Sequence, residues 1–464
     1  MARTTIKPEL MTHDLTLRVD GERMRTHFET LAEIGATVGG GVSRVALSNA
    51  DLEARAWFAE QVETLGLMVS DDDAGNLSGI HSSPLPEVKK TLIIGSHLDS
   101  VPNGGRFDSS VGIVAALEVL RVIKEAGLAL PFHLEIVDFT DQEGCWSSLF
   151  GSKAFSGKLS ANAVNEVIDP AAVGAFRAAL LRAGIRPADI HKAARSPRSV
   201  AGYIELHIEQ GSRLFDAGRK IGVVTGIIGR STYDVTFIGE AGHSGTTSPT
   251  QRRDAMLGAA TFVTRAHQFA RNAYNGAIFN CGNITVEPGA FNVIPRLARL
   301  IVECRHPNEG ILALLEADIM ELARECAREH NLAVKIERRM HMPAASMSDK
   351  VTACIRAALQ QLEIRSHTDL VSYAGHDAQI MSTFTPSGMI FIPSINGTSH
   401  NPKEFTPWED VVLGANVLLH TVLNMAAAFA VKRAPNGHGN GNGHAHGGQS
   451  GEGNPDQQGA DGSA

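Results

Sequence analysis

Imidazole and carboxylate side chains recur in this sequence at places where a set of strands could bring them together. The candidates are His97, Asp99, Asp108, Glu143, Glu205, His207, Glu209 and His400. Nitrogen and oxygen donors in this mixture suit borderline divalent metals such as zinc, manganese, cobalt or nickel. If these residues meet at one edge of one sheet, they predict a metal site there.

Each of these residues also has a simpler explanation when it is taken alone. A single His near a strand end is more often a hydrogen-bonded structural residue than a ligand. Asp108 is of the type that caps helices, and Asp99 alone has the character of a loop acid. The grouping, rather than any one member, favours metal binding.

Two apolar runs on either side of a helical segment indicate the sheet that positions these residues. The runs are TLIIGSH (91–97) and HLEIVDFTD (133–141), and between them SSVGIVAALEVLRVIKEAG has apolar residues at helical spacing. Strand, helix and strand in this order form a parallel crossover, which predicts an α/β fold with a mostly parallel sheet. Because functional crevices lie beyond the carboxyl ends of parallel strands, the side chains that follow both runs are expected to share one crevice.

A second pattern begins near residue 220 and runs strand, helix, strand, strand, helix, strand. That order predicts a small sheet with helices on one face. It interrupts the first pattern, which resumes after Met340. We therefore predict a discontinuous first domain (1–217 and 338–433), an inserted βαββαβ domain (218–337) and a disordered tail (434–464).

The bulk composition limits the class of protein. With 464 residues the chain is long enough for two domains, and its net charge of −8 gives no support for binding nucleic acid or anionic membranes. The N-terminal segment lacks the apolar stretch of a signal peptide, and we expect that no later stretch is long and apolar enough for a membrane span. Five scattered cysteines without a C-x-x-C pair suit a reducing compartment, so a cytoplasmic location is expected.

Six motifs make the sequence resemble a known family. They are GSHLDSVPNGGRFDSSVG, DQEG, ELHIEQG, GEAGHSGTT, FNVIP and GTSHNPKEF, and the resemblance covers roughly residues 20 to 430. In this order they resemble the M20 metallopeptidase-like amidases, in the hydantoinase/carbamoylase branch of N-carbamoyl-L-amino-acid hydrolases, β-ureidopropionases and allantoate amidohydrolases. The resemblance implies a dinuclear-metal catalytic domain interrupted by a lid and dimerisation domain.

The resemblance also implies roles for the candidate ligands. Asp108 would bridge two divalent metal ions per chain, with His97 and His207 on one ion and Glu143 and His400 on the other. Such a pair lowers the pKa of a shared water toward neutrality. Asp99 would accept a hydrogen bond from His97 and set its tautomer.

Further residues would contact a small substrate that carries a carboxylate. They are Gln210, His243, Asn292, Arg305 and His376, the last with Asp377 in a supporting or substrate role. Arg305 would grip the carboxylate and His243 would polarise the scissile carbonyl, with the inserted domain reaching the site partly from the second subunit of a homodimer. Two alternatives remain open: Arg305 only pairs with Glu303, and Asn292 only serves the turn before Pro295.

Gln142 in DFTDQEGCW departs from the family, which has two consecutive Glu in this motif. The first of the two is the general base, and an amide cannot take a proton. Three readings compete: a hydrolase of ureido or N-acyl amino acids with Asp141 or another neighbour as base, a metal-assisted lyase, cyclase or isomerase, and a binding paralogue. The retained metal ligands favour the hydrolase. Cys145 and Trp146 are expected to shape the pocket, with a reactive thiolate as the alternative.

Overall fold

A computed structural model describes residues 15–165 and 170–431 of the chain. Its α-helices are α1 (Gly21–Glu33), α2 (Asn49–Thr64), α3 (Ser110–Glu125), α4 (Phe150–Phe155), α5 (Val173–Arg182), α6 (Arg213–Asp216), α7 (Ala255–Ala273), α8 (Glu309–Glu329), α9 (Asp349–Gln361), α10 (Asp377–Met381) and α11 (Trp408–Val431). Its strands are β1 (Val69–Asp71), β2 (Leu77–His81), β3 (Thr91–Ser96), β4 (His133–Asp138), β5 (Val200–Ile208), β6 (Ile221–Ile227), β7 (Gly229–Ile238), β8 (Gly242–His243), β9 (Ile278–Glu287), β10 (Val293–Ile294), β11 (Leu297–His306), β12 (Ala333–Met342), β13 (Ala345–Ser346), β14 (His367–Ser372) and β15 (Ser387–Ile392). The predicted disordered tail lies outside the described residues.

The larger sheet contains the strands that end at the candidate site. Its order is β1-β2-β4-β3-β5-β15-β6-β13, with β14 paired to β6. The four central strands β4, β3, β5 and β15 are mutually parallel. On the flanks β2 and β6 pair antiparallel with this centre, and β14 pairs parallel with β6. The fold is therefore mixed α/β with a mostly parallel centre, as predicted.

Helix α3 joins β3 to β4 in the predicted crossover and is buried over most of its length. The reason is that it packs between the sheet and α11, so all its faces need apolar residues. Gly112 lets α3 approach β5 closely, since a Cβ atom there would lie 2.5 Å from the Leu206 carbonyl oxygen. This close packing places the start of α3, and Asp108 just before it, at the edge of the sheet.

The smaller sheet has the order β12-β7-β11-β9 and packs α7 and α8 against one face. Its elements follow the predicted βαββαβ order, with the short β8/β10 ribbon as an addition. The domain boundaries at 218 and 337 stay a prediction. The chain passes from the larger sheet to the smaller one, and back again, at other residues. Ile221–Ile227 pairs within the larger sheet, so the smaller sheet begins at Gly229 and its last strand ends at Met342.

Helix α11 corrects one expectation from the sequence. The stretch Trp408–Ala430 is long and apolar enough to cross a membrane, with a mean hydropathy of 1.7, so the prediction that no stretch reaches this threshold was wrong. Yet 78% of that apolar window is buried inside the protein, where α11 packs on α9 and α3. An all-round apolar helix is also what the core of a large domain requires.

Candidate active site

The candidate metal ligands lie just beyond, or at, the carboxyl ends of the four parallel strands. His97 directly follows β3, Glu143 lies in the loop after β4, His207 is the second-last residue of β5, and His400 lies in the loop after β15. Parallel strands end at one edge, so residues far apart in the chain meet there. Asp108 joins them from the loop that enters α3.

Asp108 lies between two sets of donors. Its Oδ1 is 3.1 Å from His207 Nε2 and 3.8 Å from His97 Nε2, while its Oδ2 is 3.4 Å from His400 Nε2. His400 Nε2 is in turn 3.4 Å from Glu143 Oε1. In each set, one donor atom from every residue lies within 4.8 Å of the others. One carboxylate thus offers one oxygen to each set.

The ring nitrogens fit a role as metal ligands. Nδ1 of His97 lies 3.0 Å from the Asp99 carbonyl oxygen, and Nδ1 of His207 lies 2.8 Å from the Ile208 carbonyl oxygen. A carbonyl only accepts, so each Nδ1 must carry the hydrogen, and in the neutral imidazole that a metal binds each Nε2 presents a lone pair. Nε2 of His97 is buried and has no hydrogen-bond partner, which an additional cation between it and Asp108 would supply.

The donors perturb one another's protonation strongly. Burial alone would lower the pKa of His97, yet Asp99, Asp108 and Glu143 raise it well above its usual value. Burial would raise the pKa of Asp108, but His207, His400 and His97 hold it well below its usual range. Burial and Asp108 raise the pKa of Glu143 to about 7. Such shifts are typical of a functional cluster.

Asp99 links the loop that follows His97 to the loop that carries Glu143. Its carboxylate accepts the backbone N–H groups of Gln142 and Glu143, each at 3.1 Å. The same carboxylate lies 3.4 Å from His97 Nδ1, farther than the Asp99 backbone carbonyl. The predicted hydrogen bond to His97 is therefore made by the carbonyl rather than by the side chain.

Glu404 is a functional residue that sequence reasoning missed. Its Oε1 accepts the backbone N–H groups of Phe107 and Asp108, each at 2.9 Å, and its Oε2 accepts the Ser399 hydroxyl at 2.8 Å. Burial and Asp108 raise the pKa of Glu404 to about 7. The signal was its place in GTSHNPKEF, four residues after His400. Glu404 holds the backbone that carries Asp108.

Gln142 makes a contact that a carboxylate could not make. Its side-chain Nε2 donates a hydrogen bond to the Gly375 carbonyl oxygen at 3.0 Å. The adjacent Asp141 accepts the backbone N–H groups of Trp146 at 3.1 Å and Ser147 at 2.7 Å. The carboxylate of Asp141 therefore orders its own loop, and its assignment as a replacement base is not supported by this geometry.

Gln210 reaches the donor cluster and lines a cleft beside it. Its Nε2 lies 2.6 Å from Asp108 Oδ2 and 3.2 Å from His400 Nε2. The cleft has a volume of about 560 Å³ and is lined also by Arg213, Tyr373 and Ile278. Because Ile278 belongs to the smaller sheet, the cleft lies between the two sheets next to the donors.

His376 packs behind the donor cluster rather than within it. It is fully buried, its Nε2 lies 2.9 Å from the Ser372 hydroxyl, and its ring is 4.5 Å from the His207 ring between centroids. Glu205, His207 and His376 form a further group that could hold a metal. In this structure the Glu205 carboxylate accepts hydrogen bonds from the Ser96 hydroxyl and the Ala378 N–H, so it holds the elements that carry the ligands rather than acting as a ligand itself.

The three candidates from the smaller sheet are placed differently. Arg305 makes the alternative ion pair, donating to Glu303 at 2.5 Å, and it also donates at 2.9 Å to the carbonyl of Tyr373, a residue of the cleft wall. His243 and Asn292 are exposed and adjacent in the β8/β10 ribbon. Across residues 15–165 and 170–431, no hydrogen bond or ion pair joins either residue to the donors.

The expected role of Cys145 and Trp146 in shaping the pocket stays a prediction, while the alternative of a reactive thiolate is disfavoured. Burial, Asp141 and Asp99 raise the pKa of Cys145 to about 11, which disfavours a thiolate. Trp146 stacks on Phe176 at 5.3 Å between ring centroids and donates its indole N–H to the Ala46 carbonyl.

Comparison with known proteins agrees with this geometry. The family described as Peptidase family M20/M25/M40 matches residues 93–424, which include every candidate metal ligand. The chain belongs to this family. It is 35% identical over 410 residues to an N-carbamoyl-L-amino acid amidohydrolase of Geobacillus stearothermophilus, covering 88% of this chain and 99% of that protein. It is 30% identical over 404 residues to an allantoate amidohydrolase of Bacillus subtilis, covering 86% and 96%.

Solved structures agree as well. An amidase of the hydantoinase/carbamoylase family from Burkholderia multivorans superimposes with a TM-score of 0.79 at 31% identity, covering 89% of this chain and 99% of that one. The resemblance inferred from the six motifs is confirmed. This member of the M20 family is a hydrolase of linear amide C–N bonds, and its family is metal-dependent.

Proposed function

We propose that this M20-family enzyme hydrolyses the linear C–N bond of an N-carbamoyl (ureido) or N-acyl amino acid in the cytoplasm. The observation that carries the proposal is the position of Asp108, whose two oxygens face two separate sets of donors. The related amidohydrolases support the substrate class.

Two divalent ions per chain, zinc, manganese, cobalt or nickel, fit these donors. His97 and His207 would hold one ion, Glu143 and His400 the other, and Asp108 both. When bound, such a pair lowers the pKa of water and polarises a carbonyl oxygen. Asp99 and Glu404 keep the loops of these ligands in place through backbone hydrogen bonds.

Proton transfer is the step in which this chain differs from its family. Gln142 cannot accept a proton, and Asp141 is engaged with its own loop. Loss of a positioned general base costs roughly a hundred- to ten-thousandfold in rate. We infer that the enzyme hydrolyses its substrate more slowly than a relative with Glu at position 142.

Substrate recognition uses the cleft between the two sheets. Arg305 borders the cleft wall at Tyr373, where Glu303 and the Tyr373 carbonyl set the plane of its guanidinium, and it would bind the substrate carboxylate bidentately. Gln210 adds a polar contact from the donor side, and His376 supports His207 from behind.

We also propose that the chain works as a homodimer in which the region 218–337 serves as lid and dimerisation domain. His243 and Asn292 are exposed in one chain, and within the part of the chain that the structure describes their hydrogen bonds stay in their own ribbon and loop. From a second subunit they could reach the cleft, where His243 would polarise the scissile carbonyl. The edge strand β9 is largely exposed, which suits pairing with a second copy.

The test is a panel of N-carbamoyl amino acids, β-ureidopropionate, allantoate and N-acyl amino acids with metal-loaded protein, read by mass spectrometry and ammonia release. Hydrolysis of one class with the expected mass change supports the proposal. A product of unchanged mass, an elimination product, or binding without turnover would favour the lyase, isomerase or paralogue readings that Gln142 raises. Metal analysis should find about two ions per chain, and His97→Ala or Asp108→Ala should lose at least one.

A further inference from the structure

A row of paired residues crosses the smaller sheet and ends at Ile278, which lines the cleft. Arg230 on β7 pairs with Arg305 on β11 and with Met342 on β12, and Arg305 pairs with Ile278 on β9. The flanking Ser231 and Cys304 are buried on the opposite face, where α7 and α8 pack. The row therefore points away from the helices, and Ile278 at its end lines the cleft.

Among the residues that the structure describes, Arg230 differs from Arg305 in having no acidic hydrogen-bond partner, although Glu303 lies close enough to act on it electrostatically. Within the described residues its guanidinium makes no hydrogen bond or ion pair, and its Nε is buried and unsatisfied. Arg305, by contrast, is paired with Glu303. Like charges directly opposite on neighbouring strands are destabilising, and an unpaired buried cation is costly. A bound anion would remove both penalties.

The surroundings of Arg230 add positive charge. Burial and then Arg230 itself lower the pKa of Lys153 on α4, so the two cations are close. The Lys153 ammonium donates a hydrogen bond to the Ser148 carbonyl at 2.7 Å, and the charge of Asp141 acts to raise the pKa of Lys153. Glu303 makes its ion pair with Arg305, so the hydrogen-bond donors of the Arg230 guanidinium are left for an incoming carboxylate.

We propose that Arg230 is a second carboxylate-binding residue, which holds the substrate's carboxylate together with Arg305. The inference rests on the function proposed above. Two planar guanidinium forks can bind one carboxylate from two sides, which selects a carboxylate over a neutral amide more strongly than one fork does.

This pair also sets where the substrate lies relative to the donors. Arg305 bonds the Tyr373 carbonyl, and two residues on, the Gly375 carbonyl accepts the Gln142 side chain. His376 follows and packs on His207. The segment 373–376 thus connects a carboxylate held by Arg230 and Arg305 to the loop that carries Glu143 and to His207 on β5.

The experiment compares metal-loaded wild type with Arg230→Gln, using N-carbamoyl-L-alanine and its α-carboxamide. Dissociation constants come from calorimetry, and turnover comes from ammonia release. Arg230→Gln should weaken binding of the carboxylate roughly ten- to hundredfold, as expected for lost charge-assisted hydrogen bonds, and should leave the carboxamide within about twofold. Arg299→Gln is the matched control, because Arg299 lies on the same face of β11 but pairs with Asp234.

Unchanged carboxylate binding by a folded Arg230→Gln variant would overturn the proposal, and so would equal losses for carboxylate and carboxamide. If Arg230→Gln fails to fold, Arg230→Lys retains the charge without the fork and should still weaken carboxylate binding selectively. Arg230-dependent binding without ammonia release would uphold the arginine pair and reject the proposed hydrolysis. No binding of either ligand to wild type would reject the pair.

Discussion

Replacing Gln142 by Glu restores the residue type that the family carries at this position, so it tests the chemistry most directly. In the present structure the Gln142 amide donates to the Gly375 carbonyl at 3.0 Å. A carboxylate there would face that carbonyl oxygen with no hydrogen to donate. The new side chain is expected to turn away from Gly375, toward the donor cluster.

Two opposing magnitudes follow from this change. A positioned general base contributes about a hundred- to ten-thousandfold in rate, and we expect kcat to rise within that range. The lost hydrogen bond and the buried carboxylate, next to Asp99 and Glu143, should cost about 1–3 kcal/mol of the free energy of unfolding. The variant should be faster and less stable.

The assay is steady-state hydrolysis of the best substrate from the panel between pH 5 and 9, with metal content measured for each preparation. Burial raises the pKa of a carboxyl group, and a base works only when it is deprotonated. The gain in kcat for Gln142→Glu should therefore grow with pH through the pKa of the new group. Gln142→Met removes the amide without adding a base and should give no gain.

An equal or lower rate for folded, fully metal-loaded Gln142→Glu would refute the reasoning. It would mean that this active site does not use a base at position 142 and that the amide has another task. A gain of the same size in Gln142→Met would refute it too, because release of the Gly375 loop would then explain the effect.

Three further predictions follow from the site. Glu404→Gln should weaken metal affinity about 10–100-fold in a metal titration, because it removes the charged acceptor that holds the Asp108 backbone; unchanged affinity would contradict that role. The pKa of His400 is raised to about 9, first by its hydrogen bond to Asp108, and that of Glu143 to about 7, so metal binding must displace protons. Affinity should rise with pH from 6 to 9, with proton release seen by calorimetry in buffers of different ionisation enthalpy; a flat profile would argue against these ligands. Gly112→Ala should destabilise the protein by about 1–3 kcal/mol in denaturant unfolding and weaken metal binding, since the added methyl group forces α3 away from β5; wild-type values for both would show that α3 adjusts freely.

The sequence predicted the family and the main elements because these depend on local patterns. Apolar runs bounded by Gly and polar residues mark β3 and β4, and helical spacing marks α3. The βαββαβ order also followed from periodicity. The sheet to which Ile221–Ile227 belongs could not be read in this way, because an apolar run does not state its pairing partner.

Residue types alone determined which chemistry this protein can perform: imidazoles and carboxylates after parallel strands for metal binding, and an amide where the family has a base. Only the tertiary structure decided which atoms act together. Asp108 divides its two oxygens between donors from four strand ends, Glu404 holds Asp108 across 296 positions of chain, and strand register sets Arg230 beside Arg305. These contacts are long-range, so they depend on how the sheets pair and pack, and no local stretch of sequence encodes them.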